Sequence, residues 1–178
     1  MTVSITLKDI LLQEAETVYT ITEKLFHKVT DADLFWTPPM GTNWMTMGQL
    51  LMHCAGYGCG KAVKGFVTGV WEQPEDVVTG ENEVNHIPPA SDLPSVKSVQ
   101  QALGLLNEDR DLALRCINNA KEDDLLSKRV IAPWGGPENT LFQHLQLMIK
   151  HLEQHKGQLF YYLKLMGEPV NSTDLWGD

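Results

Sequence analysis

The chain has 178 residues, of which 43% are hydrophobic and 21% charged, which is the composition of an ordinary globular protein. Its length predicts a single domain spanning residues 1–178. The 14 Lys and Arg residues against 23 Asp and Glu give a net charge of −9, which repels nucleic-acid phosphates and anionic lipid surfaces. We therefore expect neither a nucleic-acid partner nor a membrane partner.

The N-terminal sequence and the cysteines favour a cytoplasmic location. The first residues lack the basic start and apolar core of a secretory signal peptide, and no run of eighteen apolar residues occurs. Cys54, Cys59 and Cys116 form no CxxC pair, and an odd number of cysteines fits free thiols in a reducing compartment. We expect a cytoplasmic protein with reduced cysteines.

The first two predicted helices come from the first half of the chain. Apolar residues spaced by three and four predict a helix over residues 7–29. Thr46 and Gln49 match a capping box, so a second helix is expected to begin there and to continue to about residue 70. Several glycines interrupt its pattern and suggest a close approach between helices: Gly56, Gly58, Gly60 and Gly65.

Two further helices complete the prediction. Ser95 is the expected cap of a third helix that ends near Asn119, with Arg110 as the one polar residue on its apolar stripe. Asn139 or Thr140 is expected to begin the last helix, which Gly167 should end. The stretch 71–94 contains four prolines and is long enough to cross a helix bundle. The predicted fold is an all-α four-helix bundle with long crossover connections.

Histidines on two of these helices are the candidates for chemistry. His151 and His155 are four residues apart, so they lie on one face of the last helix and could share a metal ion. His144 lies on the same side, one turn or more earlier, among Met and Leu residues. His53 lies on the apolar stripe of the second helix. Without further evidence, the His151–His155 pair could equally well be a solvated pair on the helix surface. His53 alone could be a hydrogen-bonded histidine of the core.

Two passages together resemble the DinB/YfiT-like family of metal-dependent four-helix-bundle proteins. One is the stretch Trp44-Met45-Thr46-Met47-Gly48-Gln49-Leu50-Leu51-Met52-His53 at the start of the second helix. The other is His151-Leu152-Glu153-Gln154-His155-Lys156-Gly157-Gln158-Leu159, an HxxxH followed by a basic residue, Gly and Gln. The resemblance covers essentially the whole chain.

The resemblance implies that His53, His151 and His155 are the three protein ligands of one divalent metal ion. Three imidazoles leave a coordination position open for water or substrate, as in catalytic zinc sites, and they would accept Zn²⁺, Ni²⁺ or Fe²⁺. Gln49 and Gln158 are each either a hydrogen-bond partner of a ligand or of a bound water, or an ordinary polar helix residue.

The remaining chemically active residues are expected to stay outside the site. His144 would lie about 10 Å along the helix from His151, too far to share the ion, and is expected to be structural or to line a pocket. Cys54 should point about 100° away from His53 and pack in the core. His27 and His86 have no assigned role. The tryptophans of the connections are expected to pack loops onto the bundle or to wall a pocket: Trp36, Trp44, Trp71 and Trp134.

The functional hypothesis is a metal-dependent enzyme of the thiol-transferase or hydrolase type. The resemblance implies a metal-activated water or low-molecular-weight thiol that attacks an electrophilic small molecule. The alternative is a non-catalytic metal-binding or stress-response binding protein that keeps the site as a structural clip. A homodimer is expected, with Phe160 or Leu163 as candidate exposed apolar contacts.

Overall fold

The computed structural model describes residues 4–56, 59–71 and 88–177, and these are mostly helical. The elements, in chain order, are α1 (Leu7–Phe26), α2 (Met47–Gly56), α3 (Gly60–Thr68), α4 (Val99–Asn119), α5 (Glu122–Ser127), β1 (Arg129–Val130), β2 (Asn139–Thr140), α6 (Leu141–Met166) and α7 (Ser172–Trp176). Short 3₁₀ turns occur at Asp31–Asp33 and Ala90–Asp92.

The long helices form a bundle of four rods, in which α2 and α3 together make the second rod. Helix α1 packs against α4 and α6, and the α2–α3 rod also packs against α4 and α6. The two pairs therefore alternate around one hydrophobic core, to which all four rods contribute fully buried side chains. The predicted all-α four-helix bundle is confirmed.

Side-chain caps begin the helices where the sequence places hydroxyl residues. Thr46 and Gln49 form the predicted capping box, and Thr140 caps α6. Helix α4 is capped by Ser98, whose side chain accepts a bond from the Gln101 amide, so the prediction of Ser95 as the cap was wrong. The Ser95 hydroxyl instead donates to the Val96 carbonyl. Gly167 ends α6 in the left-handed conformation, with φ +90°.

Two predicted helices are longer than the observed ones. Helix α1 ends at Phe26, three residues before the predicted end. The predicted helix over residues 46–70 is two helices, α2 and α3, and of this stretch residues 57–58 lie outside the described residues. A continuous helix would need the amides of Cys59 and Gly60 to bond carbonyls four residues earlier, but the Asp109 carboxylate accepts both of those amides.

Asp109 of α4 is a buried carboxylate that joins three rods of the bundle. Its oxygens accept bonds from the Tyr19 hydroxyl of α1 at 2.6 Å and from the amides of Cys59 and Gly60 at 3.0 Å each. Burial raises the pKa of Asp109, and the bonds from Tyr19 and from these amides oppose that rise. The sequence analysis chose its neighbour Arg110 as the polar residue of the stripe. Arg110 instead pairs with Glu23 at the bundle edge.

Gly60 is required at this contact. A Cβ atom at residue 60 would overlap the backbone oxygen of Asp109 and lie 2.6 Å from its carboxylate. The glycine therefore allows the start of α3 to approach α4 closely enough for the carboxylate to reach the two amides. This is the close helix–helix approach that the glycines of the second helix suggested.

The C-terminal residues form an element that the sequence analysis did not predict. Helix α7 packs against α1 and α6, and the buried Lys156 of α6 donates to the Leu175 carbonyl of α7 at 2.9 Å. The side chains of Phe160 and Leu163 are 3% and 0% exposed, so their proposed role as exposed dimer contacts was wrong. They are buried because α6 packs against several neighbouring elements, including α1 and α7.

Part of the predicted long connection lies outside the described residues. These are residues 72–87, and they include His86. Trp71 and residues from 88 onward are described at the two ends of the connection. Among the helices of the described residues, we find none with the length and apolar character needed to cross a membrane.

We predict that Asp109→Ala lowers the free energy of unfolding by about 3 kcal/mol or more, because it leaves a buried hydroxyl and two buried amides without their acceptor. Urea denaturation measures the change. Asp111→Ala, at an exposed position of the same helix, is the control and should change stability by less than about 0.5 kcal/mol. Equal losses in the two variants would contradict the structural role of Asp109.

Candidate metal centre

Three imidazoles meet between α2 and α6. His53 lies on α2, and His151 and His155 lie one turn apart on α6. The Nε2 atom of His151 is 3.3 Å from Nε2 of His53 and 3.2 Å from Nε2 of His155. All three ligand atoms lie within 4.8 Å of one another. The packing of α2 against α6 thus brings together the three histidines that the sequence analysis selected.

The spacing of these nitrogens fits one metal ion. Metal–nitrogen bonds of about 2.05 Å to two nitrogens 3.2 to 3.3 Å apart give an N–metal–N angle of about 103 to 107°. A tetrahedral site has angles of about 109°, and at the same bond length two neighbouring octahedral ligands would lie about 2.9 Å apart. The three histidines are therefore positioned to bind a metal ion.

The surroundings keep the three imidazoles neutral. Burial lowers the pKa of His53 to about 4, with further contributions from the neighbouring His155 and His151. Burial also lowers the pKa of His151, again with a contribution from His155. Burial lowers the pKa of His155, although the bond to Gln158 opposes the change. Neutral imidazoles present the lone pairs that a metal needs, so the site favours a cation without competition from protons at neutral pH.

The donor set contains three imidazoles and no other ligand type in the described part of the chain. Within residues 4–56, 59–71 and 88–177, no cysteine, aspartate or glutamate belongs to the cluster. Cys54 is fully buried beside His53, and burial raises the pKa of its thiol to about 12. It packs in the core as expected. All three histidines are partly exposed.

A chain of hydrogen bonds leads from the cluster to the loop before α2. Nδ1 of His155 is 3.0 Å from Oε1 of Gln158. Nε2 of Gln158 is 3.3 Å from the Tyr162 hydroxyl, which lies 3.0 Å from the Met45 carbonyl oxygen. Of the two alternatives for Gln158, the structure therefore supports a hydrogen-bond partner of one of the three clustered histidines.

Gln49 has the other role. Its Oε1 accepts from the Thr46 amide, and its Nε2 donates to the carbonyls of Ala90 and Leu93 at 2.7 and 2.8 Å. These bonds tie the start of α2 to the C-terminal end of the long connection. Gln49 is thus a structural residue, and its side chain makes these bonds instead of bonding a metal ligand.

His144 is structural, as the sequence analysis expected. It is buried, its Nε2 lies 2.8 Å from the Val130 carbonyl of β1, and its ring stacks on Phe66 at 4.1 Å. Trp71 and Trp134 pack edge-on against the same phenylalanine. These tryptophans therefore pack loops onto the bundle.

The other two tryptophans lie on the side of the metal site. Trp36 and Trp44 contact the ring of Tyr162 edge-on, with centroids 5.3 and 6.2 Å away. Trp44 also lines an open cleft of about 500 Å³ with Asn43, Thr46, Gln49, Ala90 and Ser91. None of the three histidines lines this cleft. Trp44 thus connects the cleft wall to the hydrogen-bond chain that ends at His155.

Tyr162 was not among the residues predicted for the site. It is seven residues after His155 and four after Gln158, so the three side chains lie along one face of α6. That spacing was a usable signal. Its partner Met45 was not predictable, because the contact is a backbone carbonyl 117 residues away in sequence.

Comparison with known protein families agrees with this geometry. The family model of the DinB superfamily matches residues 14–159. The chain belongs to the DinB superfamily. The matched residues include His53, His151 and His155, and Tyr162 lies beyond their end. No curated protein matches the chain.

We predict that the metal-free DinB-superfamily protein loses stability as the pH falls from about 6.5 towards about 4. The pKa of His53 is lowered from 6.5 to about 4 in the folded state, so the unfolded chain binds more protons in this interval. The contribution of neutral His53 to the free energy of unfolding is therefore fully present above pH 6.5 and is lost as the pH falls towards 4.

Thermal unfolding of the chelator-treated protein measures this loss, and NMR titration of the histidine ring protons gives the pKa itself. His27→Ala is the control because His27 is exposed, and it should show the same loss as the wild-type chain. A His53 ring that titrates near pH 6.5 would contradict the prediction.

Proposed function

We propose that the protein is a divalent-metal-dependent enzyme of the thiol-transferase or hydrolase type. In this proposal His53, His151 and His155 hold one ion, and water or a low-molecular-weight thiol attacks an electrophilic small molecule. The observation that carries the proposal is the convergence of three neutral imidazole nitrogens at a partly exposed point. Membership of the DinB superfamily supports it.

Each part of the cluster has a role in this proposal. The histidines bind the ion and, through their lowered pKa values, keep protons off their nitrogens. A metal held by three imidazoles lowers the pKa of a water or thiol in its open position and so supplies a nucleophile at neutral pH. The partial exposure of the cluster lets a small substrate reach that nucleophile.

Zn²⁺ is one ion that the cluster fits. The nitrogen separations of 3.2 and 3.3 Å are compatible with imidazoles that share one Zn²⁺. Imidazole ligands also accept Ni²⁺ and Fe²⁺, and the supply of metal in the cell influences which one is bound.

The second candidate function is a non-catalytic metal-binding or stress-response binding protein. It is favoured by the lack of a carboxylate in the cluster within the described ranges, since a carboxylate is a common general base. It is disfavoured by the donor set, because structural zinc sites normally have four protein ligands and three are found in these ranges.

The proposal places the protein in the cytoplasm as a single domain that forms a homodimer. Free cysteines support a reducing compartment. The exposed Tyr161 and Leu165 of α6 replace the buried Phe160 and Leu163 as candidate dimer contacts. The charge of −9 argues against nucleic acid as a partner.

We predict that the purified protein binds about one Zn²⁺ per chain and that His53→Ala and His151→Ala each lose stoichiometric binding. Each variant removes one of three ligands, and two imidazoles hold the ion much more weakly. Elemental analysis after metal loading and gel filtration measures the content. Helical content should stay close to wild type, because the apolar core does not depend on the ion.

Two controls accompany these variants. His27→Ala removes an exposed histidine, and His144→Ala removes one that bonds a carbonyl and stacks on Phe66. Both should retain the ion, although His144→Ala should lower stability. A loss of metal in His144→Ala equal to that in His151→Ala would overturn the ligand assignment.

We predict that the Co²⁺-loaded protein binds small thiols directly at the metal. Three protein ligands leave an open position, so added L-cysteine should produce the intense sulfur-to-cobalt charge-transfer absorption of a new thiolate bond. The spectrum is recorded with and without the thiol. An unchanged spectrum would contradict the thiol-transferase type of the proposal. Methionine, which has no thiol, is the matched control.

A further inference from the structure

We infer that Tyr162 is a positioning residue of the metal site, which acts through Gln158 to place the proton of His155 on Nδ1. The Nε2 lone pair of His155 then faces the other two histidines. The direction of each hydrogen bond follows from the one before it, starting at the Met45 carbonyl. The consequence for metal affinity rests on the proposed function, but the position of the proton does not.

The first step is the bond between Tyr162 and Met45. A carbonyl oxygen can only accept a hydrogen bond, and the Tyr162 hydroxyl lies 3.0 Å from that of Met45. The hydroxyl has one proton, so it donates this proton to the carbonyl. Its oxygen is then left to act as an acceptor towards Gln158.

The second step orients the amide of Gln158. The Tyr162 oxygen can only accept from this side chain, so the group that faces it at 3.3 Å is the NH₂ group. The amide oxygen of Gln158 must therefore face His155, at 3.0 Å from Nδ1. The hydrogen-bond partners of a Gln side chain decide which end of its amide is the oxygen and which is the nitrogen. Here the Met45 carbonyl, two hydrogen bonds away, determines that orientation.

The third step determines the tautomer of His155. An amide oxygen only accepts, so Nδ1 of His155 must carry the proton. A neutral imidazole has one N–H, and Nε2 therefore has the free lone pair. This is the nitrogen that lies 3.2 Å from Nε2 of His151 in the cluster. The other tautomer would direct an N–H at the metal position and could not bind the ion.

The packing around Tyr162 holds this chain of bonds in place. The Tyr162 side chain is 2% exposed, and its ring lies edge-on to Trp36 and Trp44. These contacts restrict the ring to one position, so the hydroxyl stays between Gln158 and Met45. The loop that forms one wall of the cleft is thus connected to a ligand of the proposed metal site.

Tyr162→Phe tests the inference with little change in shape. Without the hydroxyl, the Gln158 amide loses the acceptor that orients it, and it can turn its NH₂ group towards His155. Nδ1 must then accept, and the proton moves to Nε2. Nitrogen NMR of the metal-free protein at neutral pH distinguishes the two tautomers of His155 by the shifts of its ring nitrogens.

We expect the Nδ1–H tautomer in the wild-type chain and a substantial population of the Nε2–H tautomer in Tyr162→Phe. Tyr161→Phe is the matched control, because Tyr161 is the adjacent residue and is 61% exposed. It should keep the wild-type tautomer. An unchanged tautomer in Tyr162→Phe, or an Nε2–H tautomer in the wild-type chain, would overturn the inference.

Two substitutions of Gln158 separate positioning from packing. Gln158→Glu keeps an acceptor towards Nδ1, so His155 should retain the Nδ1–H tautomer. Gln158→Leu removes the acceptor and should allow both tautomers. If Gln158→Glu and Gln158→Leu shift the tautomer equally, the amide oxygen does not act as the inference requires.

Metal affinity gives the second readout. Competition with a chromophoric Zn²⁺ chelator should show binding weakened about tenfold in Tyr162→Phe and Gln158→Leu, the size typical of lost partners of metal ligands, and little changed in Tyr161→Phe. Wild-type protein with the expected tautomer but no affinity for Zn²⁺ would contradict the proposed function and support the inference. If all variants bound Zn²⁺ tightly and kept the wild-type tautomer of His155, the inference would be contradicted and the proposed function would not.

Discussion

The histidine cluster can bind a metal ion only if its three imidazole lone pairs point to one place and carry no protons. The contact between α2 and α6 satisfies the geometric part, because it sets His53 opposite the His151–His155 pair. Partial burial satisfies the electrostatic part, since each imidazole loses hydration that would favour its charged form. The three histidines are still partly exposed.

The second rod of the bundle is interrupted on the C-terminal side of His53. Asp109 takes the amides of Cys59 and Gly60, and α3 therefore begins as a new helix shortly after α2 ends. This buried carboxylate is surrounded by donors, whereas the histidines are packed against one another. Asp109 thus accepts hydrogen bonds that hold helices together, whereas the three histidines are positioned to offer lone pairs to a metal ion.

A third constraint concerns the direction of hydrogen bonds. The histidine cluster is connected through Gln158 and Tyr162 to a loop whose tryptophans enclose the Tyr162 ring. The donor–acceptor distances alone would allow either tautomer of His155. The Met45 carbonyl, at the far end of this chain of hydrogen bonds, permits only one order of donors and acceptors. A backbone group outside the cluster therefore influences which nitrogen of a ligand carries the proton.

The sequence by itself determined the elements that rest on local patterns. Helical periodicity and capping residues predicted the four rods, with Thr46 as one boundary and either Asn139 or Thr140 as another. The spacing of His151 and His155 predicted their common face. The tertiary structure alone decided the break between α2 and α3, the burial of Phe160 under neighbouring elements, and the separate roles of Gln49 and Gln158. Each of these depends on a partner distant in the chain, such as Asp109 for Cys59 or Ala90 for Gln49. The sequence shows which donors and acceptors a side chain has, whereas tertiary packing decides which groups they bond.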